Sequence, residues 1–261
     1  MEKEILKRLA EIEATEDVTI FYACESGSRA WGFPSADSDY DVRFTYLRKP
    51  AWYLSIDVED KRDVIERPIN DELDISGWDL RKALKLLWKS NPPLLEWLVS
   101  PIVYIETFSI ADKLRNAVAE FYSPISSYHH YLHMAQGNYR EFLRGDTVWV
   151  KKYFYVLRPL LAMKWIQSET APVPIEFQVL VDRCVDKPEL KLAIDDLLAR
   201  KKAGQELDRQ PKIAVISDFI EKELESLGNV VDLERRNKPD FEKLNALFRS
   251  ALNEVAQDHR D

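Results

Sequence analysis

Residues 26–44 read SGSRAWGFPSADSDYDVRF. A small-residue pair, Gly27-Ser28, is followed after ten residues by Asp39-Tyr40-Asp41. From Tyr40 to Tyr46 the pattern alternates as a strand with one buried face does. Tyr40, Val42 and Phe44 share one face, and Asp39, Asp41 and Arg43 share the other. Just upstream, Val18 to Cys24 (VTIFYAC) is β-branched and aromatic, as a buried strand requires. Gly27-Ser28 therefore leaves one strand and can start a helical turn at Arg29-Ala30-Trp31, before the chain enters the next strand. Backbone N–H groups and a hydroxyl at such a turn suit the phosphates of a nucleotide. Two carboxylates on one strand face raise each other's pKa unless a cation neutralises them. Hard oxygen donors at an open site suit Mg²⁺, with Mn²⁺ a workable substitute, and such an ion keeps waters and substrate phosphate oxygens in its shell. Phosphate cradle and metal in one place are what in-line phosphoryl transfer with two metal ions requires.

That chemistry calls for a third carboxylate, to bridge the metals or to deprotonate an attacking hydroxyl. Asp63 to Pro68 and Asp71 to Ile75 read as two short strands joined by a turn at Pro68-Ile69-Asn70. On the second of these, Leu73 and Ile75 point one way and Glu72, Asp74 and Ser76 the other. Asp74, nearer the strand end that runs into Ser76, is the expected third acid, with Glu72 as the fallback. Ser76, three residues before Asp79 and just ahead of Leu80, Ala83, Leu84, Leu87 and Trp88, matches a capping box and is expected to begin a helix. Asn91-Pro92-Pro93 stops that helix, and Ile102 to Ile105 reads as one more strand. Asp37, in Ser35-Ala36-Asp37-Ser38, reads as a turn residue bonded to backbone.

Beyond about Thr107 the period is helical. Helices are expected over about 110–121 and from Ser123-Pro124 to about 142, where His129, His133, Gln136, Arg140 and Arg144 make a polar stripe. The pair His129 and His133 is half of a zinc site, but no Glu sits between them in the metalloprotease pattern and no third ligand is near, so a helix face beside a groove is the preferred reading. After Gly145-Asp146-Thr147 a long apolar helix is expected to about Gln167, kinked at Pro159. On it Lys151, Tyr155 and Arg158 fall at i, i+4 and i+7, so that a lysine, an aromatic ring and an arginine line one face that could serve phosphates, a base or a polynucleotide. Further helices fill roughly 174–186, 188–203, 211–227 and 239–256. The fold class expected is α+β: a small mixed sheet with flanking helices over 1–105, followed by an all-helical domain over 106–261.

The 261-residue composition bounds the rest. No apolar run spans a bilayer, and the start is not a secretory signal, so no membrane partner is expected. The two cysteines, Cys24 and Cys184, lie far apart in apolar segments and read as buried reduced thiols, which points to a cytoplasmic location. A net charge of −8 argues against a surface coated for nucleic acid while leaving room for a local basic groove.

Gly27-Ser28, the ten-residue spacer and Asp39-Tyr40-Asp41 resemble the signature of the DNA polymerase beta-type nucleotidyltransferase superfamily. GSRAWGFPSADSDYDVRF, DISGWDLRKALKLL and KKYFYVLRPLLA resemble more closely a group of predicted bacterial and phage nucleotidyltransferases, YcgL-like, associated with RNA repair. The resemblance implies that Asp39 and Asp41 ligate Mg²⁺, that Asp74 completes the triad, and that Gly27 and Ser28 hold the phosphates of an NTP. It also implies a helical domain that closes over the nucleotide. Arg29, Lys151 and Arg158 are the expected additional phosphate ligands. The expected activity is transfer of a nucleoside monophosphate to an acceptor hydroxyl with release of pyrophosphate, an RNA end being favoured over a small molecule or a protein. Two alternatives stand beside it: a catalytically idle nucleotide or RNA sensor, and an antitoxin-like enzyme that nucleotidylates a partner protein.

Overall fold

The structure is a computed structural model, described here for residues 1–68, 72–169, 171–205, 207–227 and 239–258. The elements in chain order begin with helix α1 (Glu2–Glu16), strand β1 (Val18–Glu25) and a single helical turn, α2 (Gly27–Ala30). Strand β2 (Tyr40–Arg48) and a second single turn, α3 (Pro50–Tyr53), follow, then β3 (Val64–Glu66) and β4 (Leu73–Asp79). Helices α4 (Leu80–Trp88) and α5 (Pro92–Leu98), strand β5 (Val103–Glu106) and helix α6 (Ile110–Phe121) come next. Then come α7 (Pro124–Phe142), β6 (Thr147–Trp149), a 3-10 turn over Val150–Lys152, and α8 (Tyr153–Glu169). The chain continues with α9 (Phe177–Cys184), α10 (Pro188–Lys202), β7 (Arg209–Pro211), α11 (Ala214–Leu227) and α12 (Glu242–Asp258). Among the described residues no helix is long and apolar enough to cross a membrane.

The α+β class expected from the sequence is what the chain adopts. A five-stranded mixed sheet runs β3-β4-β2-β1-β5, with β2 and β4 parallel and the other neighbours antiparallel. Its central strands are apolar on both faces because helices cover both. On one side Ile5, Leu9 and Ile12 of α1, spaced for one helix face, pack with Ile20, Val42, Phe44, Tyr46 and Ile75. On the other, Leu87, Leu94, Leu114 and Leu244, from α4, α5, α6 and α12, pack with Tyr22, Cys24 and Leu47. β1 feeds both cores by alternation, and a register shift between Ile20 and Tyr22 breaks that alternation so that Phe21 and Tyr22 both join the second core.

The chain forms two compact units that do not follow its two halves. One comprises Met1–Ala30, Asp39–Tyr122 and Asn237–Asp261; the other comprises Trp31–Ser38 and Ser123–Arg236. The division falls after Tyr122, where the sequence places a boundary near 105. The eight-residue segment Trp31–Ser38, most of the spacer, belongs to the second unit. Phe33 explains this: it is buried there, stacked on Phe154 with centroids 4.7 Å apart and edge-on to Phe177 at 5.4 Å.

Several elements differ from expectation. Ser76 starts no helix, because β4 runs on through Gly77 and Trp78 to Asp79, paired with β2 as far as Tyr46↔Asp79. A side chain at Gly77 would overlap the ring of buried Phe44, so the strand passes close over that ring. The helix cap is Asp79, whose side chain accepts the Arg81 N–H at 2.8 Å. Asn91-Pro92-Pro93 does more than stop a helix: Asn91 accepts the Leu94 N–H at 3.2 Å and caps α5, with Pro92 in its first turn. The back half is largely but not wholly helical. Residues 147–149 pair with Arg209–Pro211 as a two-stranded ribbon, so α8 starts at Tyr153. Helix α1, over Glu2–Glu16, has no counterpart among the elements expected from the sequence. Ile69 and Asn70 of the expected turn, and Asp71 at the expected strand start, lie outside the described residues.

Candidate active site

Three strands bring the site together at one end of the sheet. β1 ends in Glu25, β2 begins at Tyr40, and β4 begins at Leu73, with Asp41 and Asp74 as register partners in the parallel pair. Asp74 thus sits at the start of its strand rather than near its end, and this places it beside Asp41. The Asp41 and Asp74 side chains keep 30% and 29% of their surface in solvent, while Asp39, just ahead of β2, is exposed.

Gly27 is the tightest feature. Its φ is +59°, and a Cβ added there would fall on Asp41 Oδ2 and lie 2.9 Å from Asp41 Cγ. Only glycine lets the backbone turn here and approach the carboxylate so closely. Hydrogen bonds fix the approach from both sides: Ser26 N–H donates to the Asp41 carbonyl at 2.9 Å, and Asp41 N–H donates to Glu25 Oε1 at 2.7 Å. Glu25 is wholly buried and also accepts the Tyr104 hydroxyl. Burial pushes the Glu25 carboxyl up, and its two donors hold it down. Ser28 lies half-buried on the α2 turn. Arg29 lies over the Tyr40 ring, 3.6 Å from its centroid, and its Nε donates to the Asp39 carbonyl at 3.2 Å.

Arg43 completes the cluster. Its Nη2 donates to Asp74 Oδ2 at 2.7 Å and to Asp41 Oδ1 at 3.2 Å. Its Nη1 donates to the carbonyls of Val42 at 3.0 Å and Asp74 at 3.1 Å. Burial raises the Asp41 pKa; Arg43 opposes the shift, and Asp74 and Asp39 add to it. The donor chemistry fits a hard divalent ion, since two carboxylates already converge on one cationic nitrogen and the exposed Asp39 lies two residues before Asp41. Among the described residues, however, no three His, Cys, Asp or Glu side chains stand gathered as a ligand set.

Residues 1–250 match the RNA repair pathway DNA polymerase beta family, RlaP. The chain belongs to this family. It is also 50% identical, over 259 residues and 99% of either chain, to the protein YcgL of Bacillus subtilis (strain 168). A solved nucleotidyltransferase-like protein from Exiguobacterium sibiricum 255-15 aligns at 14% identity over 87% of this chain and 75% of its own, with a TM-score of 0.32, a likeness too distant to carry an argument.

Membership in the RlaP family places the chain in a polymerase beta-like nucleotidyltransferase family, which typically uses a divalent metal and implies a nucleotide substrate. The other expected site residues lie in the second unit. Lys151 is exposed on the 3-10 turn before α8. Arg158 does not share an open face with it. Only 2% exposed, Arg158 lies 4.8 Å from the centroid of the Trp31 ring and donates to the Ile175 carbonyl at 3.2 Å. The cause is that α8 is buried on nearly all sides, so i, i+7 spacing confers no free stripe. Tyr155, the ring between them, is 41% exposed and stands edge-on to Trp31. Asp37 is exposed, and its carboxyl is held below the usual range first by the Ser35 hydroxyl, which agrees with its reading as a turn residue. Sequence reasoning left Glu25, Tyr104 and Arg43 without roles. Two signals were available: Glu25 is an acid closing an apolar strand just before Ser26-Gly27, and Arg43 stands two residues after Asp41 on the same face.

Proposed function

We propose that this protein is a Mg²⁺- or Mn²⁺-dependent nucleotidyltransferase that moves a nucleoside monophosphate from an NTP to an acceptor hydroxyl, an RNA end, and releases pyrophosphate. The observation that carries this reading is the seating of Gly27 against the Asp41 carboxylate, with Asp74 opposite in the strand register. Phosphates delivered to the Gly27-Ser28 turn would arrive beside the acids. Asp39, Asp41 and Asp74 would supply the metal-binding oxygens, and bound divalent ions would stabilise the attacking and leaving oxygens. Asp74 commits Oδ2 to Arg43 and keeps Oδ1 to take the proton of the acceptor hydroxyl. The acceptor oxygen bonds to the α-phosphorus, the bond from that phosphorus to the β-bridging oxygen breaks, and pyrophosphate leaves with the electron pair. Arg29, held on Tyr40 and on the Asp39 carbonyl, buttresses the strand end and borders the phosphates. Neither Lys151 nor Arg158, both in the second unit, enters this proposal, and the Arg158 guanidinium serves the packing of Trp31.

The test is incubation with each α-labelled NTP, Mg²⁺ or Mn²⁺, total RNA and total protein, recording where the label goes. Label on RNA is expected in the wild type, and none with Asp39→Ala or Asp41→Ala. Undiminished transfer by both variants would remove the assignment; label on a protein would redirect it to the antitoxin-like alternative. One observation favours a non-catalytic nucleotide or RNA sensor as the second reading. Arg43 pairs with both Asp41 and Asp74, so the chain's own cation already engages these acids, and a sensor would bind nucleotide without metal dependence.

A further inference from the structure

Asp41 and Asp74 are two half-buried acids on neighbouring parallel strands, and a guanidinium stands between them. Left alone, such a pair would repel and lose part of its hydration. Arg43 is held for the task. Its Nη1 is tied to two main-chain carbonyls, one from each strand, which aims Nη2 at the two carboxylates. Only 17% of the Arg43 side chain reaches solvent, so it is not a surface residue that swings freely. The two ion pairs are unequal. The Asp74 contact is 2.7 Å and is reinforced by the bond to the Asp74 carbonyl, whereas the Asp41 contact is 3.2 Å.

We propose that Arg43 is the resident counter-cation of this site: it holds Asp41 and Asp74 in register without metal, and gives up Asp41 but keeps Asp74 when a divalent ion binds. The proposal rests on the nucleotidyltransferase reading, because that reading supplies the ion. It makes Arg43 a positioning residue that sets metal affinity. With a fixed positive charge on the oxygen the metal needs, binding works against a competitor already in place. The shorter, doubly supported Asp74 contact keeps the arginine at the site afterwards, orienting the Asp74 carboxylate.

Replacing Arg43 with an uncharged residue should therefore tighten metal binding, although it removes a stabilising partner. A residue that merely held the acids in place would give the opposite result, since its loss would loosen the ligands. The full chain and Arg43→Gln would be titrated with Mn²⁺ alone, with no nucleotide, by calorimetry, and melted with and without Mn²⁺. The expected result is a Kd about tenfold lower in Arg43→Gln, from removal of a like charge a few ångströms away. Its melting temperature should be lower without metal, and Mn²⁺ should raise it further than it raises the wild type. Binding by the variant but not by the wild type would support the proposal equally. Wild-type binding with no gain in Arg43→Gln would overturn this proposal and leave the nucleotidyltransferase reading standing. Absence of binding in both would overturn this proposal, while the nucleotidyltransferase reading is tested separately by transfer of label from NTP. Should Arg43→Gln fail to fold, Arg43→Met gives the same readout, because it too removes the charge while keeping much of the side chain's length; its Kd is expected to fall, and an unchanged or higher Kd would refute the proposal.

Discussion

Replacing Gly27 with alanine should carry two separable costs. The first is conformational: φ is +59°, and an L-residue in the left-handed region costs about 1–2 kcal/mol. The second is steric, since the new methyl would fall on Asp41 Oδ2, and 2.9 Å from Cγ, while the Asp41 Cβ is in ordinary contact at 3.4 Å. Displacing an ion-paired, half-buried carboxylate compares with overpacking a well-filled site, about 1–3 kcal/mol. Gly27→Ala should thus lose about 2–5 kcal/mol in total. Only the steric part depends on the Asp41 carboxylate, so the same change in an Asp41→Ala background should cost only about 1–2 kcal/mol. The four proteins would be unfolded in urea, with near-ultraviolet dichroism of the stacked Trp78–Trp97 pair, centroids 3.8 Å apart, as a probe of the same unit. An equal cost in both backgrounds, within about 0.5 kcal/mol, would refute the claim that Gly27 is required by contact with the site carboxylate.

Two further outcomes are expected. Asp79, 1% exposed and bonded to the Tyr53 hydroxyl at 2.6 Å, has its carboxyl pushed up to about 6, chiefly by burial. The fold therefore favours protonated Asp79, so its contribution to stability is full below the unfolded carboxylate value near 4 and is lost as pH rises through about 6, by up to ~3 kcal/mol. Asp79→Asn, which can still cap α4, should remove that slope in urea midpoints measured from pH 4 to 7; an unchanged slope would refute the assignment. Phe33→Ala should cost the second unit about 3–5 kcal/mol in thermal or urea unfolding, since a fully packed ring is lost between Phe154 and Phe177; a loss below about 1 kcal/mol would show that the spacer is not anchored there.

The fold was legible where local pattern and tertiary demand agreed. β1 and β2 were readable because one is largely apolar up to its closing Glu25 and the other begins with a period-two alternation, and helices covering a mixed sheet leave these signatures. Ser76 misled because its capping pattern is local, whereas the strand continues through Gly77 for a non-local reason, its close passage over Phe44. Proline misled in the other sense at Asn91-Pro92-Pro93, where a residue that breaks a helix interior also opens the next helix. The β6–β7 ribbon escaped because its two strands are three residues each and lie about sixty positions apart in sequence, too short for any periodicity to show.

The site divides in the same way. Although Asp39 stands just ahead of β2, spacing alone leads to the expectation that Asp39 and Asp41 share a face, and the chemistry expected of paired acids follows from it. Which side chain neutralises Asp41 does not, because it depends on a neighbouring strand: only the parallel register Asp41↔Asp74 turns the same-face Arg43 into a bridge between two acids. Arg158 makes the converse point. Helical spacing set it beside Lys151 and Tyr155, yet a helix enclosed on nearly all sides offers no solvent stripe, and the guanidinium was instead taken up by Trp31 and the Ile175 carbonyl. A charged residue's place on its own element fixes the direction in which it points; the elements packed around it determine whether that charge meets solvent, a ligand or another part of the chain. Arg43 and Arg158 are both arginines withdrawn from solvent, but Arg43 is the one aimed at the carboxylates of the site, and for that reason its removal should change metal affinity.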